Sequence, residues 1–119
     1  VVACAGSLAT PDLTSDVVIA LADYPALASD GGRATIPSSV SGYDYPIYLT
    51  NEGGMFRALS GWCSHEACTV SRSGDGYRCA CHGATFSSTG ATTGGPAPRG
   101  LIAFDTESDG TSVTILANA

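Results

Sequence analysis

At 119 residues the chain is the size of one domain, and its 13% of charged residues cannot furnish long amphipathic helices. The net charge is −6, no lysine is present, and the basic residues are Arg33, Arg57, Arg72, Arg78 and Arg99. Binding to nucleic acid or an anionic membrane needs a basic stripe, so the composition argues against both; nor is any apolar run long enough to span a bilayer.

In chain order, Val1-Val2-Ala3-Cys4 followed by Ala-Gly-Ser has the small-residue approach to a cysteine that resembles a bacterial lipobox. Residues 1–16 are therefore read as a linker or the remnant of a lipoprotein signal. Any membrane association is expected through an N-terminal anchor, such as a lipid on Cys4, and residues 17–119 form the folded domain. Val17–Ala22 (VVIALA) predicts a buried strand, Tyr24–Ala28 a bend, and Ser29-Asp30-Gly31-Gly32 a turn. Arg33–Ile36 and Tyr43–Thr50 predict strands, with Pro46 marking the second as an edge. Asn51–Gly54 reads as a hairpin loop and Met55–Leu59 as its return strand. Leu101–Thr106 and Thr111–Ala117 flank Asp109-Gly110, a second hairpin signal. The predicted fold is all-β, with antiparallel sheets and a loop-built subdomain inserted at about residues 61–95.

That insertion holds four of the five cysteines and both histidines, between Cys63 and His82. The two blocks are Cys63-x-His65-x-x-Cys68 and Cys79-x-Cys81-His82-Gly83, separated by the turn Ser73-Gly74-Asp75-Gly76. A thiol protease needs one reactive cysteine and a triad context, and neither fits. Zinc could take Cys63, His65, Cys79 and His82 as four ligands, but this leaves Cys68 and Cys81 unexplained. An iron–sulfur cluster with two histidines replacing two thiolates on one iron is the third chemistry open to these residues.

The paired boxes resemble those of the Rieske iron–sulfur proteins. The resemblance implies a [2Fe–2S] cluster with Cys63 and Cys79 on one iron and His65 and His82 on the other. It also implies a disulfide between Cys68 and Cys81, a feature of the high-potential members of quinol-oxidising cytochrome complexes. Gly95-Pro96-Ala97-Pro98 is similar to the proline loop that covers the cluster in that subfamily. His65 and His82 would be the electron exit and the seat of redox-linked protonation.

Two thiolates and two neutral imidazoles leave the oxidised site uncharged, which raises its potential into a window of roughly −150 to +300 mV. The chain departs from the high-potential pattern at Ala84 and Phe86, where relatives carry Ser and Tyr hydroxyls that bond to sulfur. Those donors favour the reduced state, so their absence lowers the expected potential. The expected function is one-electron transfer in the periplasm or at the cell surface, with a c-type cytochrome or another redox protein as partner. The alternative is the iron–sulfur subunit of a quinol-oxidising cytochrome bc-type complex.

Overall fold

The computed structural model describes residues 11–63, 68–81, 83–95 and 100–118. Its strands are β1 (Val17–Ala20), β2 (Arg33–Ile36), β3 (Ile47–Glu52), β4 (Met55–Ser60), β5 (Val70–Ser73), β6 (Gly76–Cys79), β7 (Thr85–Phe86), β8 (Thr92–Gly94), β9 (Ala103–Phe104), β10 (Thr106–Ser108) and β11 (Ser112–Ile115). They pair antiparallel in three sheets, of order β1-β11-β10, β2-β3-β4-β9 and β5-β6-β7-β8. The only α-helix among the described residues is the single turn α1 (Ser38–Ser41). The all-β expectation is met.

The chain divides into two compact units. Asp12–Ser60 with Ala103–Ala119 forms a base unit, and Gly61–Ile102 forms the body of an inserted one. The base unit holds the first two sheets. In β1, Val17 and Ile19 are buried while Val18 and Ala20 are exposed, the alternation of a strand with one face on a core. Opposite them, Val113 and Ile115 of β11 are fully buried, as are Ile36, Ile47, Leu49 and Leu59 of the second sheet. The Thr106 hydroxyl donates to the Phe56 carbonyl at 2.7 Å, linking β10 of one sheet to β4 of the other.

Tyr43 closes this core from a loop. Its ring stands edge-on to Phe104 at 5.3 Å, and its hydroxyl shares a 2.7 Å hydrogen bond with that of Ser60, the last residue of β4. Burial raises the Tyr43 pKa above its ordinary value, while the Ser60 bond works the other way.

Four expectations need correction. Residues 12–16 are not linker: Leu13 is buried, its N–H donates to Asn118 Oδ1 at 2.7 Å, and the Asn118 N–H returns to the Leu13 carbonyl. Asp16 likewise accepts from the Ala117 N–H at 2.8 Å. One apolar residue in a polar stretch gives no periodicity, which is why the sequence hides this docking. The VVIALA strand stops at Ala20 and continues as a 3-10 turn over Leu21–Asp23; Pro25 then opens a second over Pro25–Ala28. Pro46 does not mark an edge, because pairing begins one residue later and β3 lies between β2 and β4. A proline just before a strand removes no ladder hydrogen bond. Finally, the insertion is more than loops, since it contains the four-stranded β5–β8 sheet.

Candidate metal centre

The inserted unit builds its sheet from short strands of Gly, Ser and Thr, which carry almost no apolar period. Tyr77, Cys79, Val70 and Phe86 are nevertheless buried, and Ser71, Ser73 and Arg78 are exposed. Alternation along the hairpin thus puts a small core on one face. Ser73 pairs with Gly76 across Gly74-Asp75, which fixes Arg72 opposite Tyr77 and Val70 opposite Cys79. Arg72 lies 5.6 Å over the Tyr77 ring and donates from Nη1 to the Tyr77 hydroxyl at 3.2 Å. The sequence reading missed this pair, although the two-residue turn it identified sets the register that makes it.

The described residues that flank each Cys/His block are tied to one another. In the first, the Val70 N–H donates to Gly61 at 2.7 Å, Trp62 bridges Thr69, and the Cys63 N–H donates to Cys68 at 3.0 Å. In the second, the Cys79 N–H donates to the Ala84 carbonyl at 2.8 Å and the Gly83 N–H to the Cys79 carbonyl at 2.9 Å. These bonds hold each first cysteine at a loop base, inside the unit. Cys63 is 0% exposed and Cys79 1%, and neither is in a disulfide.

Cys68 and Cys81 are cross-linked, joining one loop to the other. Cys68 is half-buried and Cys81 exposed, and the Cys79 sulfur lies within 4.8 Å of both. The disulfide implied by the family resemblance is present. His65 and His82 lie outside the described residues, as do Cys4 and Pro96–Arg99 with its three proline-loop positions Pro96, Ala97 and Pro98. The described neighbours of that segment are anchored. Gly95 packs on the backbone of Ala84, and the Leu101 N–H donates to the Gly90 carbonyl at 2.8 Å.

Ala84 and Phe86 are both buried, and neither offers a hydroxyl. Phe86 is the cross-strand partner of Tyr77. The donor chemistry fits an iron–sulfur cluster. Two buried thiols lie at the bases of two tethered loops, and each loop also carries one histidine in its sequence.

A family model described as the Rieske [2Fe-2S] domain matches residues 23–105. The cytochrome b6-f complex iron-sulfur subunit of Chlorobaculum thiosulfatiphilum is 34% identical over 71 residues, which are 58% of this chain and 39% of that protein. Its counterpart in Chlorobaculum tepidum is 32% identical over 77 residues, covering 62% and 42%. The match therefore spans less than half the length of either relative. Among solved structures, the plasma membrane Rieske protein PetC3 of Synechocystis PCC 6803 superposes with a TM-score of 0.58 at 25% identity, covering 92% of this chain and all of that one. The ferredoxin of carbazole 1,9a-dioxygenase from Nocardioides aromaticivorans IC177 shares the fold, with a TM-score of 0.55 at 20% identity over 87% of this chain and 98% of that one.

Proposed function

Because the chain belongs to the Rieske [2Fe-2S] family, we propose that it transfers single electrons outside the cytoplasm through a cluster held by Cys63, His65, Cys79 and His82. The observation that carries this reading is the pair of buried, unbridged thiols at the bases of two loops that a disulfide ties together. When bound, the cluster supplies the one-electron centre. Cys63 and Cys79 exclude water from the thiolate side, and the cross-link keeps the loops in register in a unit with little apolar core. His65 and His82 would complete the ligand set and serve as the electron exit to the redox partner.

Three further features refine the reading. A disulfide persists in oxidising compartments, which supports the periplasm or the cell surface. A lipid on Cys4 would anchor the chain there. Ala84 and Phe86 place no hydroxyl near the ligand sulfurs, which keeps the potential in the lower part of the range for disulfide-bearing members. That lower potential reduces the driving force for quinol oxidation and favours a shuttle to a c-type cytochrome or a similar redox protein.

The second reading is an iron–sulfur subunit of a quinol-oxidising cytochrome bc-type complex, with His82 meeting the quinol. The two Chlorobaculum relatives, subunits of cytochrome b6-f complexes, favour it. No helix among the described residues is long and apolar enough to cross a membrane.

Aerobically purified protein should be reddish-brown, bleach with dithionite, and then show the rhombic electron-spin signal of mixed His/Cys ligation. Colourless protein with one zinc per chain would overturn the reading. Midpoint potential and quinol-dependent reduction of a cytochrome by the reconstituted chain separate the two functional variants.

A further inference from the structure

The exposed face of the inserted sheet carries one charge whose position the ligand set does not explain. Arg78 sits on β6 between two buried residues, Tyr77 and Cys79, so its side chain leaves from the opposite face. Its register partners there are Ser71 and Thr85, both neutral, and the Thr85 hydroxyl accepts from Thr93 at 2.9 Å. The guanidinium bends toward the second Cys/His loop. Nη2 lies 3.8 Å from the place a Cβ would occupy on Gly83, the residue after His82. Gly83 has φ +74, a conformation that L side chains adopt only with strain, so the space over it stays open to the guanidinium.

The other described arginines are engaged differently. Arg57 pairs with Glu52 at 2.8 Å, and Arg72 is spread on Tyr77. Among the described residues Arg78 makes no ion pair. The inserted unit also differs in charge from the base unit. It carries Arg72, Arg78 and Arg99 against only Glu66 and Asp75, while the remaining nine acidic residues belong to the base unit with Arg33 and Arg57.

We propose that Arg78 is a potential-setting residue: its guanidinium holds a fixed positive charge beside the Cys79–Gly83 loop and favours the state carrying the extra electron. The proposal rests on the ligand set proposed above. The electron comes from the donor and adds one unit of negative charge to the site before any linked proton uptake at His65 or His82, and a nearby cation lowers the cost of that charge. A guanidinium stays charged throughout the accessible pH range, so this contribution has no pH dependence of its own. Because Arg78 is exposed, salt screens it.

The test is voltammetry of the cluster-loaded protein at low and high ionic strength, comparing wild type with Arg78→Lys, Arg78→Gln and Arg78→Glu. Arg33→Gln, an exposed site of the base unit, is the control. The expected midpoint potentials fall in the order wild type and Lys, then Gln, then Glu, with Arg33→Gln at the wild-type value. The gaps should narrow at high salt, and the rhombic signal should not change. Coincident potentials in variants that keep the signal would overturn the proposal. So would a salt-independent drop shared by Arg78→Lys, which would show a packing role. A wild-type protein without the rhombic signal would remove the ligand set itself, an outcome visible before any variant is compared.

Discussion

Gly95 passes so close to Ala84 that a Cβ on residue 95 would lie 2.5 Å from the Ala84 Cα, and 3.0 Å from the Gly83 carbonyl oxygen. Residue 95 opens the proline segment, and Ala84 closes the second Cys/His loop, so the two segments touch backbone to backbone. Gly95 also has φ +84. Gly95→Ala should therefore suffer twice, through the left-handed backbone and through a clash with atoms that cannot rotate away. Gly74 offers the matched control, with φ +56 and open space around it. Gly74→Ala should cost only about 1 kcal/mol, the left-handed penalty. Gly95→Ala should cost clearly more and accelerate loss of iron on dilution into chelator. Thermal melts and iron-release rates of the two variants measure the difference.

The cross-link and the thiols proposed as ligands should separate by experiment. Cys68 and Cys81 are 13 residues apart, and a bridge across a loop of that length stabilises by about 3 kcal/mol in the chain-entropy account. The double variant Cys68→Ala/Cys81→Ala should melt at markedly lower temperature and still show the rhombic signal when first assembled. Cys79→Ser should abolish or alter that signal, whereas Cys4→Ala should leave it untouched. An unchanged spectrum after Cys79→Ser would sink the ligand assignment.

The Cys68–Cys81 cross-link was legible through the family resemblance of the two blocks, which concentrate sulfur and imidazole in short stretches of sequence. The hairpins at Gly53-Gly54, Gly74-Asp75 and Asp109-Gly110 were legible for a similar reason, since tight turns need particular residues. The β5–β8 sheet was not. Its strands are short and rich in Ser, Thr and Gly, so the few buried residues, Val70, Tyr77, Cys79 and Phe86, leave too short a pattern to read as alternation. Leu13 was hidden by its polar neighbours, and its place in the core depends on Asn118 at the other end of the chain. Arg78 was visible as a residue but not as a neighbour of Gly83, because the direction of a long side chain is not written in local periodicity.

Asp109 makes the β10–β11 turn sensitive to acid. Its Oδ1 accepts from the Thr111 N–H at 2.9 Å and the Ser112 N–H at 2.8 Å, and from both hydroxyls. These bonds, the backbone ones first, lower its pKa from 3.8 to about 2. The unfolded carboxylate thus takes up a proton at higher pH than the folded one. Its contribution is complete above the unfolded value and disappears as pH falls through the folded value. Asp109→Ala should lower the melting temperature at neutral pH and flatten its decline in acid, with Asp109→Asn in between because the amide oxygen can still accept. Melting curves stepped from about pH 6 to 2 follow the effect. Parallel acid limbs for wild type and Asp109→Ala would remove this carboxylate from the account.

Ala84 and Phe86 make a directional claim about the potential. Both are buried in the unit that holds Cys79, and a hydroxyl at either place would add a donor inside a medium where hydrogen bonds to charge are strong. The reduced site is the more negative, so a donor to ligand sulfur stabilises it more than the oxidised one. If each bond contributes about 1.5 kcal/mol, each restored hydroxyl raises a one-electron potential by roughly 60 mV. Ala84→Ser must fit an oxygen beneath Gly95, so some of its gain will be offset by packing. Phe86→Tyr extends a ring whose partner, Tyr77, already has its hydroxyl bonded to Arg72, so the new group does not duplicate an existing one. The double variant should gain about 100 mV, short of strict additivity because the sites are near enough to couple. Voltammetry on the two single variants and the double variant tests the claim, with the rhombic signal confirming intact ligation in each. A hydroxyl restored at both positions with no movement of the potential would show that hydrogen bonding at residues 84 and 86 does not set it.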